Sequence, residues 1–347
     1  MNRLLAPLAA GFKLGVAIRR AAYRRGWLQT HRLNRPVVSV GNLTTGGTGK
    51  TPLVRYIAET LLNRGWKPSI LTRGYGRRSG QEMVVLTPAE ERKADPLDVG
   101  DEPALLARAL PQVPIVVCAD RYRAGLLAED RFNVDVHILD DGFQHWALAR
   151  DIDVVLLDVT QELSDRALLP AGRQRETCAA LIRAHIVVLT RTELGDPKPL
   201  EDRVRQSNPQ AAIFHSSTKL CELVDIHSGR VYSPTAFQGE PVSAFCGVGN
   251  PKAFFADLRK WGFSLIAEES FGDHHVYIGE ELLPIITGAE ESAAKAIVTT
   301  EKDAMNFKLS ARGKIPILAC VIKTEIHTAE EFEKALISRL KPARQGS

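Results

Sequence analysis

The first 35 residues contain no aspartate or glutamate. They carry eight basic side chains instead: Arg3, Lys13, Arg19, Arg20, Arg24, Arg25, Arg32 and Arg35. The whole chain of 347 residues is only +4, with 45 Lys and Arg against 41 Asp and Glu, so the rest of it is net acidic. That asymmetry excludes a uniformly basic nucleic-acid binder. Cysteine is sparse too. Cys118, Cys178, Cys221, Cys246 and Cys320 are scattered with no C-x-x-C pair, which argues against a zinc site or a disulfide framework and suits a reducing cytosol. Long apolar runs are absent near the start. Leu4 to Phe12 is uncharged, but Lys13 ends it far short of the roughly 20 residues a bilayer span requires. A secretory signal would continue to a small-residue cleavage site, whereas this segment runs into Arg19-Arg20 and Arg24-Arg25. Hydrophobic residues at 44% and charged residues at 25% exclude a disordered or collagen-like chain.

What the N-terminal segment does contain is helical periodicity. At about 100° per residue, Leu8, Phe12, Val16 and Tyr23 share one face, and Lys13, Arg20 and Arg24 share the next. Arg19 intrudes on the apolar side, and Pro7 suits a first turn. Such a helix either lies in an anionic membrane interface or packs on the protein with a solvated basic face.

From Pro36 onward, short β-branched runs alternate with helical stretches. Val37–Val40, Ser69–Thr72, Ile115–Cys118, Val134–Leu139, Val154–Leu157 and Ile186–Thr190 read as strands. Leu53–Asn63 and Glu102–Leu110 read as helices. This order predicts a parallel sheet with helices on both faces. Leu223–Ile226 and Arg230–Tyr232, around Gly229, read as a hairpin. A second βα series follows from Val242. At about 150 residues per domain the length allows two domains. The expected division is a basic helix at 1–30, an α/β domain at 31–218, a two-stranded linker at 219–235, and a smaller α/β domain at 236–347.

The strongest local signal is Val40-Gly41-Asn42-Leu43-Thr44-Thr45-Gly46-Gly47-Thr48-Gly49-Lys50-Thr51. It follows a predicted strand and opens a predicted helix, as a phosphate-binding loop must. Small residues let backbone N–H groups close on phosphates, Lys50 reaches the β- and γ-phosphates, and the Thr51 hydroxyl binds Mg²⁺. Thr44 stands where the first glycine of the pattern belongs, so Gly46-Gly47 must supply the backbone freedom. A strand ending in Asp140-Asp141 supplies the second acid of such sites, one of the two holding Mg²⁺ directly or through water. A nucleotide and Mg²⁺ are therefore the expected ligands.

Further loop segments carry more chemistry than turns need: Thr72-Arg73-Gly74-Tyr75-Gly76, Val99-Gly100-Asp101-Glu102-Pro103, Cys118-Ala119-Asp120-Arg121-Tyr122, Leu139 to His145, Leu169-Pro170-Ala171-Gly172-Arg173, and Phe271-Gly272-Asp273-His274-His275. With the phosphate loop and Val298-Thr299-Thr300-Glu301-Lys302-Asp303, this ordered set resembles the tetraacyldisaccharide 4'-kinase family, from the basic helix to about residue 325. The resemblance implies a P-loop NTPase-type domain, joined by a two-stranded linker to a second, smaller α/β/α domain. It implies transfer of the ATP γ-phosphate to the 4'-hydroxyl of a tetraacyldisaccharide 1-phosphate, giving lipid IVA in lipid A biosynthesis. It also implies a peripheral location on the cytoplasmic face of the inner membrane, on an anionic lipid surface. No nucleic acid and no obligatory protein partner are expected.

Residue roles follow from the same resemblance. Thr44 to Thr51 form the nucleotide loop. Asp101 matches the catalytic carboxylate, assisted by a histidine matching His274; by residue type alone, Asp101 is equally a helix cap, and His274 is not separable from His275. Arg73, Arg121 and Arg173 match positions near the acceptor, with Tyr75 suited to packing on a sugar. Thr190-Arg191-Thr192-Glu193 resembles the base-reading strand end of GTPases, but Glu stands where Asp would read guanine, and no contact is assigned to it. Thr300 to Asp303 is given no role beyond capping a helix. A membrane-tethered ATPase switch would place a signature Lys early in the loop, where Thr45 stands. A soluble small-metabolite kinase leaves the basic helix unexplained.

Overall fold

The computed structural model describes residues 5–87, 95–163, 168–307 and 313–340. Arg3 and Leu4 of the basic segment lie outside the described residues. The first half of the sheet runs, in spatial order, β7 (Ile186–Thr190), β6 (Ile152–Asp158), β1 (Val37–Asn42), β5 (Val136–Asp140), β2 (Pro68–Thr72), β4 (Ile115–Cys118) and β3 (Met83–Leu86). All are parallel except β3, which pairs antiparallel with β4. Every residue of β1, β2, β5, β6 and β7 is buried. This is why they read as continuous apolar runs rather than alternating ones.

Helices cover both faces. In α2 (Lys50–Asn63), Leu53, Val54, Ile57, Ala58 and Leu61 are buried at helical spacing. With α4 (Asp101–Ala109) they close one face over Val38, Val40, Ile138 and Val154. On the other face, α5 (Arg121–Arg131) sets Ala124 and Ala128 against Val37, Leu71 and Val116. Burying each such Leu, Ile or Val contributes about 1.5–3 kcal/mol before entropy is counted.

The second half places β11 (Ser264–Ser270), β10 (Pro241–Cys246), β12 (Ala296–Thr300) and β13 (Ile317–Ile326) in parallel. Its core lies on either side, under α7 (Pro251–Lys260) and α8 (Gly279–Glu291). The long strand β8 (Ala212–Asp225) fuses the halves into one sheet. Its start pairs parallel with β7, and its remainder pairs antiparallel with β13 down to Ser216 against Ile326.

The hairpin expected near 222–232 is present as β8 with β9 (Val231–Tyr232). It packs on the second half, where Leu223 and Tyr232 share a cluster. The two strands that span the halves are β8 and β13, a pairing between distant segments that no local turn announces. The C-terminal helix α10 (Ala329–Ile337) departs from the expected division at 236. Phe332 and Leu336 join the core of the first half, with the Phe332 ring edge-on to Tyr56 and Phe214. The chain therefore crosses out along β8 and returns along β13.

Candidate active site at the junction of the halves

The loop after β1 has the geometry that phosphate binding requires. Gly49 caps α2 at φ +88°, and no side chain satisfies the first N–H groups of that helix. Those donors, with the positive helix end, are the elements of an anion site. Gly46 lies at φ +110°, which a residue with a Cβ rarely adopts. The position lacking its glycine is supported differently. Thr44 bridges to Gln174, and Thr45 N–H donates to the Arg173 carbonyl at 2.6 Å. Beneath the loop, Asn42 Nδ2 donates to Thr48 Oγ1 at 2.7 Å, and Thr190 Oγ1 donates to the Thr48 carbonyl at 3.1 Å.

Of the expected metal residues, Asp140 ends β5 and Asp141 follows it, while Thr51 stands in the first turn of α2. Lys50 Nζ lies 3.5 Å from Asp141 Oδ1, and Arg175 Nη1 lies 2.7 Å from Asp141 Oδ2. Burial alone would raise the Asp141 pKa, but these two cations hold it below the ordinary value. Asp141 Oδ1 nonetheless accepts no hydrogen bond, and Asp140 shifts the other way. It is 2% exposed, takes one hydrogen bond from Thr72 Oγ1 at 3.1 Å, and leaves Oδ1 without a partner. Burial, then the charges of Glu102 and Asp141, push its pKa up to about 7. A buried carboxylate oxygen with no donor is a costly arrangement that a cation relieves. The residues thus fit Mg²⁺. Among the described residues no cluster of three or more His, Cys, Asp or Glu forms a complete cage. A Mg²⁺ ion that keeps phosphate and water ligands does not need one.

Asp101 opens α4, and its Oδ1 accepts from Glu102 N–H at 2.8 Å. The same carboxylate meets His274 Nδ1 of the second half, at 2.9 Å from Oδ2. Asn306 Nδ2 donates to Oδ2 at 3.3 Å. Burial opposes the charged form of Asp101, but the His274 hydrogen bond and the Lys302 charge outweigh it and lower its pKa. His274 sits at φ +60°, and the Asp101 hydrogen bond raises its pKa against burial. His275 turns elsewhere, to Glu281 at 3.0 Å. Geometry thus separates the two histidines.

The expected acceptor residues are spread around this centre. Tyr75, 66% exposed, sets its ring 5.1 Å from that of His274. Arg73 is exposed at the end of β2. Arg121 is buried at the start of α5, beside the Asp140 and Asp141 charges. Arg173 reaches the Gly249 carbonyl of the second half. None of these four lines the cleft of about 330 Å³ beside α1 (Ala6–Arg24), which is lined by Lys13, Val16, Arg20, Arg24, Leu168 and Arg175.

Four contributors were not singled out from sequence. Arg175 links Asp141 to the cleft. Lys302 lies against Asp101 and His274, so the Thr300–Asp303 segment does more than cap a helix. It also caps one: Thr300 Oγ1 accepts from Asp303 N–H at 3.0 Å. Gly249 presses on Gly46 so closely that a Cβ would collide with the phosphate loop. Arg191 donates to the Gly47 carbonyl at 3.0 Å and to Asp158 at 2.5 Å, and lies 3.5 Å from Asp257 of α7. The strand end that resembled a base reader is therefore a brace for the phosphate loop. A Gly-x-Gly-Asn-Pro run between strand and helix, at 247–251, was the available signal for the Gly249 contact.

A phosphate loop at a strand-to-helix turn, two acids at the neighbouring strand's end, and a carboxylate–histidine pair at the junction of the halves define a P-loop phosphotransferase. The comparisons narrow this class. A family model described as tetraacyldisaccharide-1-P 4'-kinase matches residues 1–341. A tetraacyldisaccharide 4'-kinase of Geobacter metallireducens is 39% identical over 342 residues, covering 96% of each chain. One from Koribacter versatilis is 39% identical over 346 residues, covering 98% of this chain and 99% of that one. The crystal structure of LpxK from Aquifex aeolicus in complex with ATP superposes with a TM-score of 0.75 at 30% identity, covering 97% and 98%. The chain belongs to the tetraacyldisaccharide 4'-kinase family.

Proposed function

We propose that this chain transfers the γ-phosphate of ATP to the 4'-hydroxyl of a tetraacyldisaccharide 1-phosphate, with Asp101 accepting the hydroxyl proton. The observation that carries the reading is the Asp101–His274 pair, joined at 2.9 Å across the junction of the halves. A sugar hydroxyl is a poor nucleophile, and a positioned carboxylate takes its proton as the bond to phosphorus forms. His274 orients that carboxylate and keeps it ionised. Backbone N–H groups of residues 44 to 51, with Lys50, hold the triphosphate. Thr51 with Asp140 or Asp141 would hold Mg²⁺, which neutralises charge on the transferred phosphoryl group. Arg73, Arg121 and Arg173 face the anionic acceptor, and Tyr75 offers a ring for a sugar face.

The lipid acceptor would be met at the inner-membrane surface, on its cytoplasmic side. No described helix is long and apolar enough to cross a membrane. The outward side of α1 is apolar, with Leu8, Leu14 and Ile18 about 60% exposed. Half-buried Phe12, Val16 and Tyr23 turn inward and only Leu8 of that set points out, so the apolar face read from the sequence is divided. The domain roles proposed are nucleotide binding by the first half and supply of His274 by the second.

The test is transfer of labelled γ-phosphate from ATP to the lipid acceptor in mixed micelles, with Lys50→Ala as control. Transfer that depends on Lys50 is expected. Hydrolysis of ATP without labelled lipid would overturn the reading.

A further inference from the structure

Lys302, at the start of α9 (Glu301–Met305), has no counterpart in the mechanism above, yet it sits at the centre of the charge cluster. Its Nζ lies 3.2 Å from Asp273 Oδ1, 3.3 Å from His274 Nε2, 3.5 Å from Glu102 Oε1 and 3.9 Å from Asp101 Oδ2. Its side chain is 18% exposed. An ammonium group donates and cannot accept. Where it meets His274 Nε2, that nitrogen must be the acceptor. The one ring proton of neutral His274 is then on Nδ1, the atom facing Asp101.

This deepens the proposed reaction and rests on the Asp101 reading. We propose that Lys302 is a positioning residue that fixes His274 in the tautomer donating Nδ1–H to Asp101, and so keeps Asp101 free to accept the acceptor's proton. Without this cation, Nε2 is open to protonation, and His274 becomes a cation tied to Asp101 as an ion pair. Asp101 would then be held by an imidazolium at hydrogen-bond distance, and its affinity for the acceptor's proton would fall. The groups facing the pair are Glu102 from α4, Tyr75 from the loop after β2, Asp273 beside His274, and Lys302 and Asn306 from α9 and its end. Asp303 anchors α9. It accepts from Tyr277 Oη at 2.8 Å and from Gly247 N–H at 2.9 Å, so the cation stands on a braced helix.

Two measurements test this. Long-range ¹H–¹⁵N spectra of the full-length wild-type protein, with His274→Gln for assignment, should show His274 protonated on Nδ1 and bare on Nε2 at neutral pH. The second is the pH profile of kcat for Lys302→Met and Lys302→Arg. The Met variant should lose about tenfold in kcat at neutral pH. Its acid limb should move up by roughly half a unit or more, because His274, freed of the Lys302 repulsion, takes up its inactivating proton at higher pH. KM for ATP should stay within about twofold, and the Arg variant should recover part of the rate. An Nε2–H tautomer in the wild type, or a uniform loss of kcat with an unmoved acid limb, overturns the proposal. Loss of transfer in Lys50→Ala alone, with the tautomer intact, reports on nucleotide binding instead. If labelled phosphate never reaches the lipid, the underlying reaction reading fails independently of the tautomer.

Discussion

His274 Nδ1 lies 2.9 Å from Asp101 Oδ2, and the two residues stand 173 positions apart in the chain. One belongs to a loop of the second half, the other to the first turn of α4. Their hydrogen bond exists only because β8 and β13 hold the halves in register. Catalytic geometry and sheet continuity are therefore one structural fact.

Replacing Asp101 by Asn keeps its shape and its contact with Glu102 N–H, but removes the base. We expect kcat to fall by about 10²–10⁴, the usual worth of a positioned base, with KM for ATP little changed. Single-turnover transfer to the lipid acceptor measures it. A variant retaining more than about a tenth of the wild-type rate would remove Asp101 from the chemistry.

The same pair gives a pH signature in stability. The folded state lowers the Asp101 pKa, so its contribution is present above the unfolded value of about 3.9 and is lost as pH falls through the folded value. It raises the His274 pKa, so that contribution is full below about 6.5 and is lost as pH rises through the folded value. The Tm gap between wild type and His274→Gln should be widest between roughly pH 4 and 6.5 and narrow above that. A gap that widens above neutrality would contradict the assignment.

Arg191 should prove more than structural. Its side chain is 13% exposed, between Asp158 at 0% and Asp257 at 4%. Burial pushes Asp257 up to about 7 despite the attraction of Arg191. Arg191→Met leaves both acids without their cation, which costs about 3–5 kcal/mol in buried pairs. It also frees the Gly47 carbonyl, so KM for ATP should rise by about tenfold or more in whatever protein folds. Chemical denaturation and ATP titration read the two effects separately. An unchanged KM would confine Arg191 to stability.

The parts legible in sequence were those written locally. The phosphate loop needs its glycines, lysine and threonine within a dozen positions, and β1 and α2 flank it. Asp140-Asp141 was visible because a buried strand rarely ends in two acids. What stayed hidden depends on long-range register. Lys302 looks like part of a helix cap until β12 and α9 carry it to Asp101. Arg191 resembled a base reader because its strand end matches by type, while its direction is set by Asp158 and by Asp257 on α7. The C-terminal helix was placed with its sequence neighbours, although Phe332 finds its cavity between Tyr56 and Phe214 in the other half.

Asp140 should control the dependence on Mg²⁺. Its Oδ1 has no partner, and its carboxyl is raised to about 7. Asp140→Asn removes the charge that a cation would neutralise. The Mg²⁺ concentration for half-maximal rate should rise by about tenfold or more, equivalent to roughly 1.4 kcal/mol. Chelation with EDTA should abolish transfer by the wild type. An Asn variant with the wild-type Mg²⁺ curve would shift the metal role to Asp141.

The outward face of α1 makes the membrane claim separable from catalysis. Leu14 and Ile18 are 61% and 58% exposed, and Trp27 beyond the helix is 71% exposed. The inward face is anchored, with the Tyr23 ring stacked 6.5 Å from Trp146. A helix already held by its inner side has no fold-related need for leucine and isoleucine outside. Water contact costs each about 1.5–3 kcal/mol relative to burial, which an acyl layer would recover in part. Leu14→Glu with Ile18→Glu should therefore lower partitioning onto vesicles containing anionic phospholipid by at least about tenfold. The melting temperature should hold, because both side chains are largely exposed already. Phe12→Ala is the converse control, weakening the seat of the helix while leaving its outer face apolar. Raised salt should weaken wild-type binding only in part, since Lys13, Arg19 and Arg24 supply a screened attraction and the apolar face does not. Vesicle binding by the double Glu variant equal to that of the wild type would refute a docking role for this face.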